Sequence, residues 1–92
     1  MLSYGQGQES YDVYSDGKAD KQVPLTFGKC TPVVLPDKSR IVKTHLAVAA
    51  RCYNFFDSLC NQIETPAFED LPAGTIDVPA DATGFSICYP KN

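Results

Sequence analysis

Four cysteines, one histidine and eleven carboxylates are the groups in this 92-residue chain that could do chemistry. Cys30, Cys52, Cys60 and Cys88 include no CxxC pair. They lack the paired short spacing of a structural zinc site, and with a single His the ligand set for one is thin. Four cysteines in so short a chain read instead as two disulfides formed in an oxidising compartment, with four free thiols in a reducing one as the alternative. Four cysteines allow three pairings, and their spacing alone does not choose among them. His45 could serve a thiol nucleophile only beside a free cysteine, which paired cysteines would not supply. Glu64, Glu69, Asp70, Asp77 and Asp81 are the candidates for a glycosidase-type acid and base. None of them sits in a recognisable motif, and no GxGxxG, P-loop or HExxH occurs. The reading is a non-enzyme.

Composition narrows the setting. Ninety-two residues make one domain with a modest core, the kind that disulfides often staple. The net charge of −3 argues against nonspecific binding to nucleic acid or to anionic lipid. No apolar run approaches a membrane span, and Met1-Leu2-Ser3 does not open a secretory leader, so a secreted form would be the mature one. The expected state is a secreted, extracellular monomer.

The elements that must position these groups are short. Residues 1–10 are polar and unpatterned and read as a flexible tail, leaving 11–92 as the domain. Tyr11 to Asp16, Gln22 to Phe27 and Cys30 to Leu35 read as strands, with Pro24 confining its segment to a sheet edge or bulge. Residues 67–71, 75–78 and 85–89 read the same way. Arg40 to Gln62 fits two templates. As strand, Val42, Thr44, Leu46, Val48, Ala50 and Cys52 share a face; as helix, Val42, Leu46, Ala49, Tyr53, Phe56, Cys60 and Ile63 recur at spacings of three and four. Tyr53, Phe55, Phe56, Phe85 and Tyr89 alternate along strands, and most of them are expected in the core. Tyr4, Tyr11 and Tyr14 are the candidates for an exposed contact patch.

The chain also says one thing twice. Tyr11-Asp12-Val13-Tyr14-Ser15-Asp16 returns as Tyr53-Asn54-Phe55-Phe56-Asp57-Ser58, about 42 residues on. Val33-Val34-Leu35-Pro36 returns as Ile76-Asp77-Val78-Pro79. The repeats are taken as 11–50 and 51–92, each one supersecondary unit burying its apolar face against the other. The expected fold class is an all-β sandwich of about eight short strands. A small α+β disulfide protein with a central helix over 39–62, killer-toxin-like, is the alternative.

Over residues 10–90 this pattern resembles a βγ-crystallin domain. The aromatic first strand of each half, Leu71-Pro72-Ala73-Gly74 before a third strand, and the closing strand Phe85-Ser86-Ile87-Cys88-Tyr89 carry the resemblance. It implies two Greek keys in which the third strand of one half joins the other half's sheet, beside its fourth strand. That arrangement implies the pairing Cys30–Cys88 with Cys52–Cys60. It also implies calcium candidates at the nearest matches to the family's loop signature, Asp37 with Ser39 and Asp81 with Ser86, both of which lack the second Asx. The cysteine arrangement is similar as well to small secreted four-cysteine fungal proteins, which implies an effector-like virulence factor acting on a host or microbial protein or cell surface. The alternatives are a secreted antimicrobial or killer-toxin-like protein, or a protease inhibitor whose rigid loop would be Cys60 to Pro66.

Overall fold

The computed structural model describes residues 10–91 and is all-β, with no α-helix among them. Eight strands follow in chain order: β1 (Tyr11–Ser15), β2 (Asp20–Pro24), β3 (Thr31–Pro32), β4 (Arg40–Leu46), β5 (Ala50–Phe55), β6 (Ile63–Leu71), β7 (Gly74–Asp77) and β8 (Phe85–Pro90). They form two four-stranded sheets, ordered β2-β1-β4-β7 and β3-β8-β5-β6, with every neighbour antiparallel. The third strand of each half has therefore crossed to the sheet of the other, β3 beside β8 and β7 beside β4.

The ambiguous stretch 40–62 is two strands, not a central helix. β-Branched residues at Ile41, Val42 and Thr44 resist helical χ1 crowding, and β4 finds partners on both edges. A bulge at Val13/Tyr14 against β4 shifts the pairing, so that Val13 faces Lys43 while Tyr14 faces Ile41. This extra residue changes the parity of β4 partway along. Ile41 is consequently buried together with Thr44 and Leu46, where simple alternation over Val42, Thr44 and Leu46 would have excluded it. Pro24 closes β2, which lies at a sheet edge as its missing N–H requires.

The core lies between the sheets. Leu46 from the first meets Ala50, Cys52 and Cys88 from the second, with Leu25, Phe27 and Leu71 packed around them. Tyr14, 1% exposed, crosses this layer, and its hydroxyl donates to the Pro32 carbonyl at 2.6 Å, tying β1 to β3. Burial raises the Tyr14 pKa to about 12, with the nearby Asp12 charge adding to the shift, so the phenol keeps its proton. Ser10 belongs to the fold rather than to a tail. It is buried, its carbonyl accepts from Leu25 N–H, and its Oγ accepts from Ala47 N–H.

Both disulfides are present, but with other partners than the resemblance implied. Cys52 bridges Cys88 and Cys30 bridges Cys60. Register explains the exchange. In the β5–β8 ladder Cys52 stands directly opposite Cys88, with Cα atoms 3.9 Å apart. β3 is only two residues long and pairs Thr31 with Ser86, so Cys30 lies just before the strand and out of register with Cys88. The loop after β5 then brings Cys60 to Cys30.

Chymotrypsin, cutting at Phe55 and Phe56, should release disulfide-linked peptides joining 52 to 88 and 30 to 60; a 30–88 peptide would contradict this register. Replacing Cys52 and Cys88 together by Ala should cost about 3–4 kcal/mol in chemical denaturation, as expected for closing a loop of 36 residues. Tyr14→Phe should cost roughly 1–2 kcal/mol, because it leaves the Pro32 carbonyl without its donor.

Candidate functional site

Side-chain alternation gives the second sheet two unlike faces. Cys52 and Cys88 point into the sandwich, so Arg51, Tyr53 and Phe55 on β5 and Phe85, Ile87 and Tyr89 on β8 point away from it. On β5 and β8 the inner face is made of small or polar residues, Ala50, Cys52, Asn54, Ser86 and Cys88, with Leu71 of β6 beside them. The outer face holds the large apolar ones. On β6, Phe68 and Asp70 extend this outer face, opposite Tyr53 and Arg51. The five aromatics, most of them expected in the core from their alternation, are thus not core residues. Phe56 and Tyr89 are exposed, and Tyr53, Phe55 and Phe85 are half-buried.

The outer face is built as a trough of about 680 Å³ along β5 and β8, lined by Arg51, Tyr53, Phe55, Ile87, Tyr89 and Lys91, among others. Its rings are not coplanar. Tyr53 meets Tyr89 edge-on at 6.0 Å and lies tilted 54° from Phe68 at 5.7 Å. Phe68 and Tyr89 remain 42% and 47% exposed. Such a patch on the face of a sheet costs solubility, and it marks a contact site more often than an accident of composition.

One end of the trough is charged. Asp70 accepts a forked pair of hydrogen bonds from Arg51, Nε to Oδ1 at 2.7 Å and Nη2 to Oδ2 at 3.1 Å. Lys91 Nζ lies 3.5 Å from the same Oδ2. The Arg51 guanidinium also sits over the Phe68 ring, 4.2 Å from its centroid. These hydrogen bonds hold the Asp70 carboxyl below its ordinary pKa and push the Arg51 guanidinium up. Two cations therefore share one carboxylate.

At the other end the face runs into a pinned loop, residues 56–62. The Asp57 carboxylate accepts Asn61 N–H at 2.9 Å and Gln62 N–H at 2.8 Å, the latter bond being the main cause of its lowered pKa. Phe56 N–H donates to the Gln62 carbonyl, and the Cys30–Cys60 bridge anchors the loop to the segment before β3. The loop holds Leu59 out at 74% exposure.

The other residues singled out in the sequence fall elsewhere. His45 stacks on Tyr11 at 4.9 Å and pairs through Nδ1 with Thr75 Oγ1, on the outer face of the first sheet. Every cysteine is in a disulfide, so His45 has no thiol to activate. Of the proposed contact tyrosines, Tyr14 is core, Tyr11 is half-buried beneath His45, and Tyr4 lies outside the described residues.

Glu64, Glu69 and Asp81 line, with Asp12, a second cavity of about 480 Å³ between the sheets, whereas the Asp77 carboxylate turns outward to Lys43 Nζ at 2.7 Å. Asp70 is excluded from it by alternation, since it faces outward with Arg51. Asp12 is 2% exposed and accepts from Thr44 Oγ1 at 2.7 Å. Burial raises its pKa, against the smaller lowering effect of the Thr44 bond.

The calcium candidates are engaged otherwise. Asp37 Oδ1 accepts from Ser39 N–H at 2.9 Å and from Ser39 Oγ at 2.6 Å, while Oδ2 pairs with Lys21 at 3.2 Å. These contacts, the Ser39 hydroxyl foremost, lower the Asp37 pKa to about 2. In the second loop Arg40 donates to the Ala82 carbonyl, bringing a cation beside Asp81, and Ser86 stands on β8 opposite Asn54. Each loop already holds a cationic side chain. Among the described residues no three His, Cys, Asp or Glu side chains gather as a metal shell.

Sequence reading missed Arg51, Lys91 and the outward direction of the aromatics. The signal was present in the parity of the cysteines. Disulfide-bonded Cys52 and Cys88 occupy even positions, and the large residues Tyr53, Phe55, Ile87 and Tyr89 occupy odd ones. Comparison with known families, curated proteins and solved structures finds no match.

The raised pKa of Asp12 has a definite sign. The folded state holds that proton more tightly than the unfolded chain, so this contribution to stability falls as pH rises from the ordinary carboxylate range through the raised value. Asp12→Asn keeps an acceptor for Thr44 and removes the buried charge. Its thermal midpoint should exceed that of the parent by a few degrees at pH 7, and the difference should shrink towards pH 3. Thermal melts of both proteins across that range check it.

Proposed function

We propose that this chain is an extracellular, non-enzymatic interaction protein of βγ-crystallin-like architecture, and that it engages its partner through the outer face of the second sheet. The observation that carries the reading is the inverted distribution of side-chain size. The inner face of β5 and β8 is given to small or polar residues and a disulfide, while their large aromatic side chains stand outside around an open trough. Aromatic residues joined by an arginine are the side chains that dominate binding energy at interfaces. A rigid sheet also presents them at little ordering cost.

Two disulfides and an acidic net charge support life outside the cell as a soluble interaction partner rather than attack on anionic envelopes. The cysteine arrangement similar to small fungal proteins supports an effector-like role towards a host or a competing microbe. A protease inhibitor would use Cys60 to Pro66 instead. That segment is not a free loop: Cys60 N–H donates to the Asp57 carbonyl, Cys60 is bridged to Cys30, and from Ile63 onward the chain belongs to β6.

The test is site-directed photo-crosslinking in extracellular fluid from the source organism and the cells it contacts. A photoreactive phenylalanine at position 89 should give a discrete adduct, and one at Lys43, on the outer face of the first sheet, should not. Tyr53→Ser or Phe68→Ser should abolish the adduct while leaving the unfolding free energy within about 1 kcal/mol of the parent, as expected for residues outside the core. Equal adducts from both positions, or adducts from position 43 alone, would move the interface elsewhere.

A further inference from the structure

The ends of the trough differ in chemistry, and that difference selects an occupant. Its walls are apolar, made by Tyr53, Phe55, Ile87 and Tyr89. Arg51 and Lys91 close one end, and among the described residues Asp70 is the carboxylate paired with them. These three side chains together carry a charge of plus one, on a chain whose total is −3. The cavity between the sheets is lined instead by the carboxylates of Asp12, Glu64, Glu69 and Asp81, with Arg40 bonded to the Ala82 carbonyl of its lining. Acidic side chains thus predominate there, and cationic ones at the end of the exposed aromatic trough.

Resting on the interaction face described above, we infer that the trough takes an apolar peptide segment of a partner protein that carries a carboxylate at one end. Three features argue for this occupant. The volume of about 680 Å³ admits a few side chains, not a whole domain surface. The rings stand edge-on and tilted, so they make walls for a bulky side chain where a flat polysaccharide would need coplanar platforms. Lys91 holds Asp70 at 3.5 Å, a longer contact than either Arg51 bond, so its ammonium can turn to an incoming carboxylate while Arg51 keeps Asp70 satisfied. The trough then supplies burial for the apolar part and Lys91 supplies orientation.

Chemical-shift titration of the isotopically labelled, full-length protein tests the inference with three probes: the acetylated and amidated tetrapeptide Glu-Glu-Leu-Phe, its Gln-Gln-Leu-Phe counterpart, and the neutral oligosaccharide chitohexaose. The acidic peptide should shift the amides of Tyr53, Ile87, Tyr89 and Lys91. Its Kd should be roughly fivefold lower than that of the glutamine peptide, the range of an exposed ion pair. Lys91→Gln, or 0.5 M NaCl, should close that gap without unfolding the protein. Equal binding of the two peptides in the trough would overturn the carboxylate inference and leave the face itself standing. Shifts from chitohexaose alone, or from raising the protein concentration alone, would overturn it in favour of a glycan or a second copy. No shift in the trough with either peptide at millimolar concentration would also overturn it, and the crosslinking result would then judge the face independently.

Discussion

The Cys52–Cys88 bridge is the constraint on which the rest of this structure depends. It joins residues that stand opposite each other in the central ladder of the second sheet, so it fixes the register of β5 against β8. Because side chains alternate with period two, fixing one buried pair fixes the direction of every other side chain on both strands. A slip of one residue would carry Tyr53, Ile87 and Tyr89 into the sandwich and expel the disulfide. With the bridge inside, the aromatics have nowhere to go but out.

The interior that remains is held as much by polar contacts as by apolar volume. Leu46 and Tyr14 are the large fully buried side chains among the described residues, and one of them spends its hydroxyl on a bond between sheets. Asp12 and Thr44 pair within the same layer. The exchange of β3 and β7 between halves supplies what a small core cannot, since neither half completes a sheet alone. Gly84 serves the same joint. A Cβ there would collide with the Phe55 carbonyl, and its φ of +89° suits glycine, so the chain passes close over the end of β5 while the Gly84 carbonyl accepts Val33 N–H. The two repeats are therefore interlocked at the loops as well as along the ladders.

Much of the fold was legible in the residues. The repeat of Tyr11–Asp16 in Tyr53–Ser58, Pro24 at an edge and the turn signals between short alternating runs all pointed to two interleaved β units. The candidate site was not legible in the same way. Aromatic alternation over Tyr53–Phe55 and Phe85–Tyr89 states that one face differs from the other, but hydrophobicity suggested the wrong face for the core. The disulfide pairing was misjudged for a related reason. It turns on β3 being two residues long, a length set by pairing that local composition over Cys30–Leu35 does not reveal.

What the sequence determined by itself is the element type outside residues 40–62 and the two-fold repetition, because β-branched and aromatic alternation, proline placement and turn residues act over neighbouring positions. It also determined that an oxidised form carries two disulfides. Only the tertiary structure decided that residues 40–62 are strands, which cysteines meet, which face of the second sheet is inside, and that Glu64, Glu69 and Asp81 stand around one cavity with Asp12 while Asp70 joins Arg51 and Lys91 and Asp77 joins Lys43. Those outcomes follow from register and from the crossing of β3 and β7. The two disulfides and the Arg51–Asp70 pair alone join residues 19 to 36 positions apart in the chain, through contacts that neighbouring residues do not specify.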